Sequence, residues 1–449
     1  MENLGEPLSA RQQGRMSRRI AIAGILGTTM ETFDFIVYGY LVIYIAPSFF
    51  PAGDSATSIL ASLAVFAVGF IARPLGGIYF GRMGDRRGRR FTLLVTVTIM
   101  GLATCILGAL PDYSAIGIVA PILLMVARLL QGFSAGGEVI GSSTYVVESS
   151  TSGRRGLFSS ATPLGSVLGI TLVPVVVGIT TAVVGADQMA SWGWRIPFLV
   201  ALPLTIACLI FRLRIEDSPE FLALLRRQEV ATAPFREVRR NYWRSVIAVV
   251  MIAIAVSFLA YTLVTYIPVY LSSTVELAPG TIYWITGLAT ALASPALLLS
   301  GMAIDRFGRK VVLISGMAAS AVIVFPAMTV MGGAFNSPVG VGFAYWLLLC
   351  CSFASQPPAF HAYFGFFPAR VRYTGAAIGY NIGNAVGGGF GPYLSAQLTA
   401  WTHEPRSPSI LVAIVAIICI GTVLISSRLR TDIHGEKLES VNPTAPAAM

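Results

Sequence analysis

Long stretches of this sequence contain no Asp, Glu, Lys or Arg at all. They cover residues 157–186, 245–275, 277–304, 311–369, 373–403 and 407–427. A helix needs about 20 mostly apolar residues to cross a bilayer, so each stretch can hold at least one span. The stretch at 311–369 is long enough for two spans, which the turn-forming residues from Gly332 to Pro338 separate.

The first half of the chain adds apolar segments that carry few charges. They are residues 20–46, 58–80, 91–110, 117–147 and 195–212. The spans must be helices, because a segment in lipid has to satisfy its own backbone hydrogen bonds. Only 12% of the residues are charged, about half the share of a soluble domain. We therefore predict an all-α membrane protein with twelve transmembrane helices.

Lysine and arginine are concentrated in alternate loops between the predicted spans. Counting both termini, 27 of the 31 basic residues lie in one set of loops. Basic loops stay on the cytoplasmic side, so both termini and the loop at 212–244 are predicted to be cytoplasmic. The net charge of +10 then follows from topology, and no nucleic-acid partner is expected. We predict a multi-pass protein of the cell (inner) membrane, embedded in the lipid bilayer.

Two copies of one loop sequence, 220 residues apart, indicate an internal duplication. The first copy reads GRMGDRRGRR from Gly81 to Arg90, and the second reads GMAIDRFGRK from Gly301 to Lys310. Each follows the second span of a six-span half, as in transporters whose site lies between two repeated bundles. The predicted parts are a cytoplasmic segment (1–19), two six-helix bundles (20–211 and 245–428), a central cytoplasmic loop (212–244) and a disordered cytoplasmic tail (429–449).

The repeated loop carries charges that suit a cytoplasmic gate. An aspartate can accept hydrogen bonds from an arginine or from a helix N-terminus. Such contacts can hold helix ends together in one conformation and break in the other. We assign gating to one Asp and two Arg of each copy, namely Asp85, Arg86, Arg89, Asp305, Arg306 and Arg309. An ordinary basic loop is the alternative interpretation.

Five ionisable side chains lie inside the predicted spans, all in the first half. They are Glu31, Asp34, Arg73, Arg128 and Glu138. Ionisable groups are costly within a bilayer and usually mark a functional site. A buried carboxyl group beside an arginine can exchange its ion pair for a proton when a substrate anion claims the arginine. We therefore predict that Glu31, Asp34 and Glu138 couple transport to protons, with fixed structural ion pairs as the alternative.

Polar groups on the same helix faces are candidate substrate ligands. Tyr38 shares the face of Glu31 and Asp34, and Gln131 shares that of Arg128. We predict that Arg128 binds a substrate carboxylate with Tyr38 and Gln131 beside it. The second half offers Tyr266 and Asn381 as further ligands, with helix bridging an equal alternative.

Several chemistries find no support in the sequence. It has no nucleophile–base set, no metal-ligand cluster and no Gly-Lys-Ser/Thr phosphate loop. An enzyme, an ATP-driven transporter, a bound metal and a cofactor are therefore not expected.

Several segments resemble the major facilitator superfamily, and within it the metabolite–proton symporter family. The repeated loop resembles the signature of the superfamily. The finer resemblance lies in ETFDF (31–35), RPLGG (73–77), RLLQGFSAGGE (128–138), WGWRIPF (192–198), EDSPEF (216–221) and RVRYTG (370–375). In the superfamily, a Glu after span 4 followed by Arg-Gly supports the cytoplasmic gate, which implies that role for Glu148 and Arg155.

The resemblance implies a secondary active transporter that works by alternating access. Its partners are expected to be protons and a small organic acid or zwitterion, carried together by symport, and we expect it to function as a monomer. A proton-coupled antiporter that exports a metabolite or drug is the alternative.

Overall fold

The structure is a computed structural model of the 449-residue chain. It describes residues 10–51, 55–150, 154–214, 217–227, 229, 231, 233–273, 275, 277, 279–334 and 337–426. Within these residues the secondary structure is helical, without a β-strand. The predicted tail at 429–449 and the first nine residues of the predicted N-terminal segment lie outside the described residues.

Twelve long helices follow one another along the described chain. Those of the first half are α1 (Ala10–Phe49), α2 (Ser55–Arg87), α3 (Arg89–Ala109), α4 (Val119–Glu148), α5 (Ala161–Val184) and α6 (Ile196–Leu213). Those of the second half are α7 (Trp243–Tyr261), α8 (Pro279–Ala293 with Pro295–Phe307), α9 (Arg309–Thr329), α10 (Pro338–Phe364), α11 (Arg372–Thr402) and α12 (Pro408–Ser426). π-Helical turns at Thr262–Tyr266 and Val330–Ala334 extend α7 and α9, and Ile267–Ser273 completes α7.

The length and composition of these helices confirm a membrane protein. Over the described residues, ten of them are long and apolar enough to cross a bilayer. The remaining two, α2 and α11, have 33 and 31 residues. At 1.5 Å per residue, both exceed the roughly 30 Å of a hydrocarbon core. The twelve-helix prediction is therefore confirmed.

The repeated loop has the same backbone conformation in both halves. α2 and α3 are separated at Gly88, which has φ of 101°, and α8 and α9 at Gly308, which has φ of 81°. Glycine adopts positive φ at little cost, whereas a side chain would be strained there. The duplication seen in the sequence is therefore also a duplication of the turn that joins two helices.

Helices α2 and α4 pack so closely that only glycine fits between them. A Cβ atom added to Gly132 would strike the backbone of Gly69, and one added to Gly136 would strike the backbone carbonyl of Arg73. Small residues at such contacts let two backbones approach within a membrane. This packing fixes the rotation of α2, and with it the direction of the Arg73 side chain.

The central loop begins later than its sequence indicates. Helix α6 runs to Leu213, so Arg212, which the charge pattern places in the loop at 212–244, belongs to the first bundle and is 3% exposed. Two short helices, Pro219–Arg226 and Pro234–Asn241, follow before α7. The second of them packs against α2 and α11, where the two halves meet.

Candidate transport site

A cavity lies between the two halves of the fold. Its walls come from α1, α2, α4 and α5 of the first half and from α7, α10 and α11 of the second. Its volume is about 120 Å³. By the same measure one water needs roughly 10–15 Å³, so the space suits a solute of about ten heavy atoms. Among the described residues, the charged groups that line it are Glu31 and Arg73.

Glu31 and Arg73 form an ion pair at the wall of this cavity. The Nη2 atom of Arg73 lies 3.3 Å from Oε1 of Glu31, and the guanidinium group stacks 4.3 Å from the ring centroid of Phe35. The residues are 2% and 5% exposed. The other oxygen of Glu31, Oε2, and the Nε of Arg73 have no hydrogen-bond partner in the part of the chain that the structure describes. One acceptor and one donor are therefore left for a solute.

Aromatic rings form much of the remaining wall. Phe360, Tyr363 and Tyr380 pack in a cluster, with centroids between 5.5 and 5.9 Å apart. Tyr261 of α7 also lines the cavity. Aromatic faces attract cations, most strongly where water is excluded. The second half thus offers an aromatic surface for a positively charged group. It also contributes the amide of Asn384 to the cavity wall.

A polar network lies behind the cavity wall, inside the first half. Thr104 donates a hydrogen bond to Asp34 at 2.9 Å and accepts one from the Gln131 amide at 2.7 Å. Arg128 donates to Gln131 at 2.9 Å. All four side chains are fully buried. The network connects α1, α3 and α4, and none of its members lines the cavity described above.

Arg128 and Tyr38, two predicted substrate ligands, lie in this inner layer. The Arg128 guanidinium group sits 4.5 Å from the ring centroid of Tyr38. The Tyr38 hydroxyl interacts with the main-chain and side-chain oxygens of Ser62, at 3.2 and 3.1 Å. The arginine that reaches the cavity is Arg73, which the sequence singled out as buried but did not assign to the substrate. Contact of Arg128 or Tyr38 with a substrate stays a prediction.

Glu138 is paired with an arginine that sequence reasoning did not place in the membrane. It forms an ion pair with Arg212 of α6 and accepts a hydrogen bond from Thr96 at 2.7 Å. Gly27 of α1 leaves the space for this pair, because a Cβ there would meet both charged groups. Arg212 is the last residue of the predicted span 195–212, the shortest of the spans, and the charge pattern counted it with the central loop instead.

Tyr266 and Asn381 bridge helices rather than line the cavity. The Tyr266 hydroxyl lies 2.8 Å from that of Thr399 on α11. The Asn381 amide nitrogen donates to the carbonyls of Gly136 and Ala377 at 2.7 and 2.8 Å. Asn381 thus connects α11 to α4 across the two halves. The asparagine of α11 that does line the cavity is Asn384, one turn later.

At the cytoplasmic end, Asp85 joins α2 to α11. Its carboxylate accepts hydrogen bonds from the main-chain N–H groups of Tyr373 and Thr374, at 3.2 and 2.8 Å, at the N-terminus of α11. It also lies 3.2 Å from Arg89. A carboxylate at a helix N-terminus is stabilised by the helix dipole as well as by the bonds themselves. We call this contact the α2–α11 seam.

Glu148 connects three parts of the chain at the same seam. It lies 3.2 Å from both Arg89 and Arg372, which belong to different halves, and accepts a hydrogen bond from Ser218 of the central loop at 2.8 Å. Next to Ser218, Asp217 accepts hydrogen bonds from the N-terminus of α3. Burial raises the pKa of Asp217, although its hydrogen bonds from main-chain N–H groups oppose that shift.

The second copy of the loop makes the corresponding contact with the short helix that precedes α5. Asp305 accepts hydrogen bonds from the N–H groups of Gly156 and Leu157, at 2.7 and 3.0 Å, in the short helix Arg155–Ser159. Arg309 donates to the carbonyl of His361 at 3.0 Å. The position 220 residues after Glu148 is Pro368, so this α5–α8 seam has no counterpart of the Glu148 carboxylate. The side chains of the other predicted gate residues are exposed: Arg86, Arg155 and Arg306.

The Tyr373 side chain is packed inside the α2–α11 seam. It is fully buried, and its hydroxyl donates to the main-chain carbonyl of Gly137 on α4. A Cβ on Gly84 or Gly141 would strike the tyrosine side chain. The ring of the second half therefore occupies a slot made by glycines of the first. Together with the two aspartates, it connects the two halves at their cytoplasmic ends.

Neutralising Asp85 is expected to favour opening to the cytoplasm. Asp85→Asn keeps the shape but removes the negative charge, and a charge at a helix N-terminus is worth up to about 2 kcal/mol, which corresponds to as much as a 30-fold change in the open population. The measurement is labelling of a cavity cysteine, introduced by Ser257→Cys with the five native cysteines replaced, by an impermeant thiol reagent in inside-out vesicles. Labelling is expected to be faster than in the parent.

Two further variants control for this effect. Asp305→Asn acts at the seam that has no Glu148 counterpart and is expected to give a smaller increase. Asp112→Asn makes the same change at the N-cap of the short helix Tyr113–Ile116, away from both seams, and is expected to leave labelling unchanged. Equal labelling of Asp85→Asn and the parent would show that this aspartate does not hold the gate.

Known proteins share both the sequence and the fold. The sequence model of the family described as "Sugar (and other) transporter" matches residues 20–241. The proline/betaine transporter of Escherichia coli (strain K12) is 35% identical over 423 residues, covering 90% of this chain and 82% of that protein. The glycine betaine/proline/ectoine/pipecolic acid transporter OusA of Dickeya dadantii (strain 3937) is 33% identical over 426 residues, covering 92% and 83%.

Solved structures share the architecture at low sequence identity. The major facilitator superfamily proton:xylose symporter XylE, bound to 6-bromo-6-deoxy-D-glucose, superposes with a TM-score of 0.75 at 16% identity, over 93% of this chain and 96% of that one. XylE from E. coli in a partially occluded inward-open conformation gives 0.66 at 19% identity, over 92% and 98%. The fold and the sequence relatives agree: this multi-pass inner-membrane protein belongs to the major facilitator superfamily of transporters.

Proposed function

We propose that the protein imports a small zwitterionic metabolite together with protons, by alternating access. One observation carries this proposal: the cavity between the halves is lined by one carboxylate and one guanidinium group, Glu31 and Arg73. Such a site has no net charge, and it matches a solute that also carries one charge of each sign. A carboxylate would bind Arg73, and a cationic group would lie near Glu31 and the aromatic wall.

The relatives and the size of the cavity support this substrate class. The sequence relatives are named for proline and betaine, which are zwitterions. A cavity of about 120 Å³ fits small metabolites of that kind better than a drug-sized molecule.

We place the exchangeable proton on Glu31. When a substrate carboxylate binds Arg73, the ion pair loosens and Glu31 takes a proton from the extracellular water; the proton leaves when the cavity opens to the cytoplasm. A buried carboxylate that loses its partner is costly, which favours its protonation. Asp34 and Glu138, which lie behind the cavity wall, would adjust how readily Glu31 takes up this proton. Arg128, Tyr38 and Gln131 would hold the inner network in place.

Proteoliposomes with an imposed proton gradient test this proposal. The solutes are L-proline, glycine betaine, citrate, α-ketoglutarate and shikimate, with D-xylose as the neutral control. A gradient that is acidic outside is expected to drive concentrative uptake of a zwitterion, up to about tenfold per pH unit for one proton per solute. Efflux driven by the same gradient would instead indicate the antiporter. Uptake of D-xylose alone would overturn the substrate class.

A further inference from the structure

We propose that Asn384 of α11 binds the carboxylate of the substrate from the second half, opposite Arg73 of the first. This inference rests on the proposed function and adds to it a ligand from the second half. The carboxylate would be held by one donor from each half. Binding would then draw the two halves together around the solute.

The first observation is that the buried Asn384 amide nitrogen lacks a hydrogen-bond partner among the described residues. Asn384 lines the cavity and is 1% exposed. Buried polar groups nearly always have a partner, and an unmatched one at a cavity wall indicates a ligand-binding role. Asn381, one turn earlier on the same helix, uses its amide nitrogen for two main-chain carbonyls. The two asparagines are therefore used differently.

The second observation is that three residues lining the cavity each carry such an atom. Besides the Asn384 nitrogen, they are Nε of Arg73 and Oε2 of Glu31, all buried and without a hydrogen-bond partner within the described ranges. Two are donors and one is an acceptor. This set complements a carboxylate, which accepts, and an ammonium group that still carries an N–H, which donates.

The third observation is the rigidity of α11 at this point. The residues flanking Asn384 pack directly on α7: a Cβ on Gly383 would meet the side chain of Ala253 and the backbone of Val250, and one on Gly387 would strike the carbonyl of Ile254. Close backbone packing of this kind restricts rotation of the helix. The position of Asn384 at the cavity wall is thereby fixed.

The test compares the binding of L-proline with that of L-prolinamide, which lacks the carboxylate, to purified protein without any ion gradient. The protein is expected to prefer the carboxylate. In Asn384→Leu, which keeps the branching of the side chain but has no hydrogen-bonding group, the preference is expected to fall about 10- to 100-fold, as for loss of a hydrogen bond to a charged group. Asn384→Gln, which keeps the amide, is expected to retain part of it.

Asn381→Ala is the matched control, because the Asn381 amide nitrogen already donates hydrogen bonds to two main-chain carbonyls. It is expected to alter the transport rate through the α4 contact and to leave the preference for carboxylate over carboxamide unchanged. An unchanged preference in Asn384→Leu, with gradient-driven uptake intact, would overturn the Asn384 assignment and leave symport standing. Absence of both L-proline binding and gradient-driven uptake in the parent protein would overturn both proposals together.

Discussion

Glu31→Gln is expected to abolish accumulation of the substrate against its gradient while downhill exchange continues. Glutamine resembles the protonated carboxyl group, so the variant can still cycle with substrate but cannot release a proton to the cytoplasm. With one proton per solute and a one-unit pH gradient, the parent can reach about tenfold accumulation, whereas the variant is expected to stay near onefold. The measurement is labelled-substrate uptake and counterflow in proteoliposomes.

Two other carboxylate variants make this prediction specific. Asp187→Asn changes an exposed acid in the short helix Ala186–Ser191 and is expected to keep full accumulation. Asp34→Asn alters the inner network but leaves the cavity pair in place, so it is expected to reduce coupling less than Glu31→Gln. If Asp34→Asn alone abolishes accumulation, the proton is carried behind the cavity wall and our placement of it is wrong.

Gly136→Ala is expected to prevent correct assembly of the first bundle. The added methyl group would strike the backbone carbonyl of Arg73 and approach the backbone nitrogen of Gly77 at 2.6 Å. A backbone atom cannot turn aside as a side chain can, so α2 would have to move away from α4. Overpacking typically costs 1–3 kcal/mol and sometimes more. We expect little monodisperse protein in detergent and a clearly lower thermal unfolding temperature.

Gly178→Ala provides the matched control. Gly178 lies within α5, and a Cβ there would meet no heavy atom within 4 Å. Alanine is also the better helix former by about 1 kcal/mol. This variant is expected to unfold at the same temperature as the parent or slightly higher. Normal yield and normal uptake from Gly136→Ala would contradict the close packing of α2 and α4.

The spans, the duplication and the equivalent positions of two loop aspartates could be predicted from the sequence because their signals are local. A stretch without charges indicates a span wherever it lies, and the repeated loop brings Asp85 and Asp305 to equivalent helix ends. Both aspartates accept hydrogen bonds from the opposite half. Local sequence also indicated that buried charges are concentrated in the first half.

The composition of the cavity could not be predicted in the same way. Helical periodicity shows that Arg128 and Glu138 share a face of α4, but not which neighbour that face meets. The approach of α2 to α4 at Gly132 and Gly136 decides this, because it turns Arg73 to the cavity and leaves Arg128 in the inner layer. The same limit applies to α11, where Asn381 bridges helices and Asn384, three residues later, reaches the cavity.

Helix α11 has a consequence for how the protein is made. It is not among the ten helices apolar enough to span a membrane by composition, so it gains little from contact with lipid alone. Several of its glycines lie instead against α7, and the amide of Asn381 reaches α4. A ribosome delivers α7 more than a hundred residues before α11. We therefore expect stable insertion of α11 by the translocon to require that earlier helices are still close to the insertion site. Assembly of the second half is then expected to be sensitive to substitutions in the first.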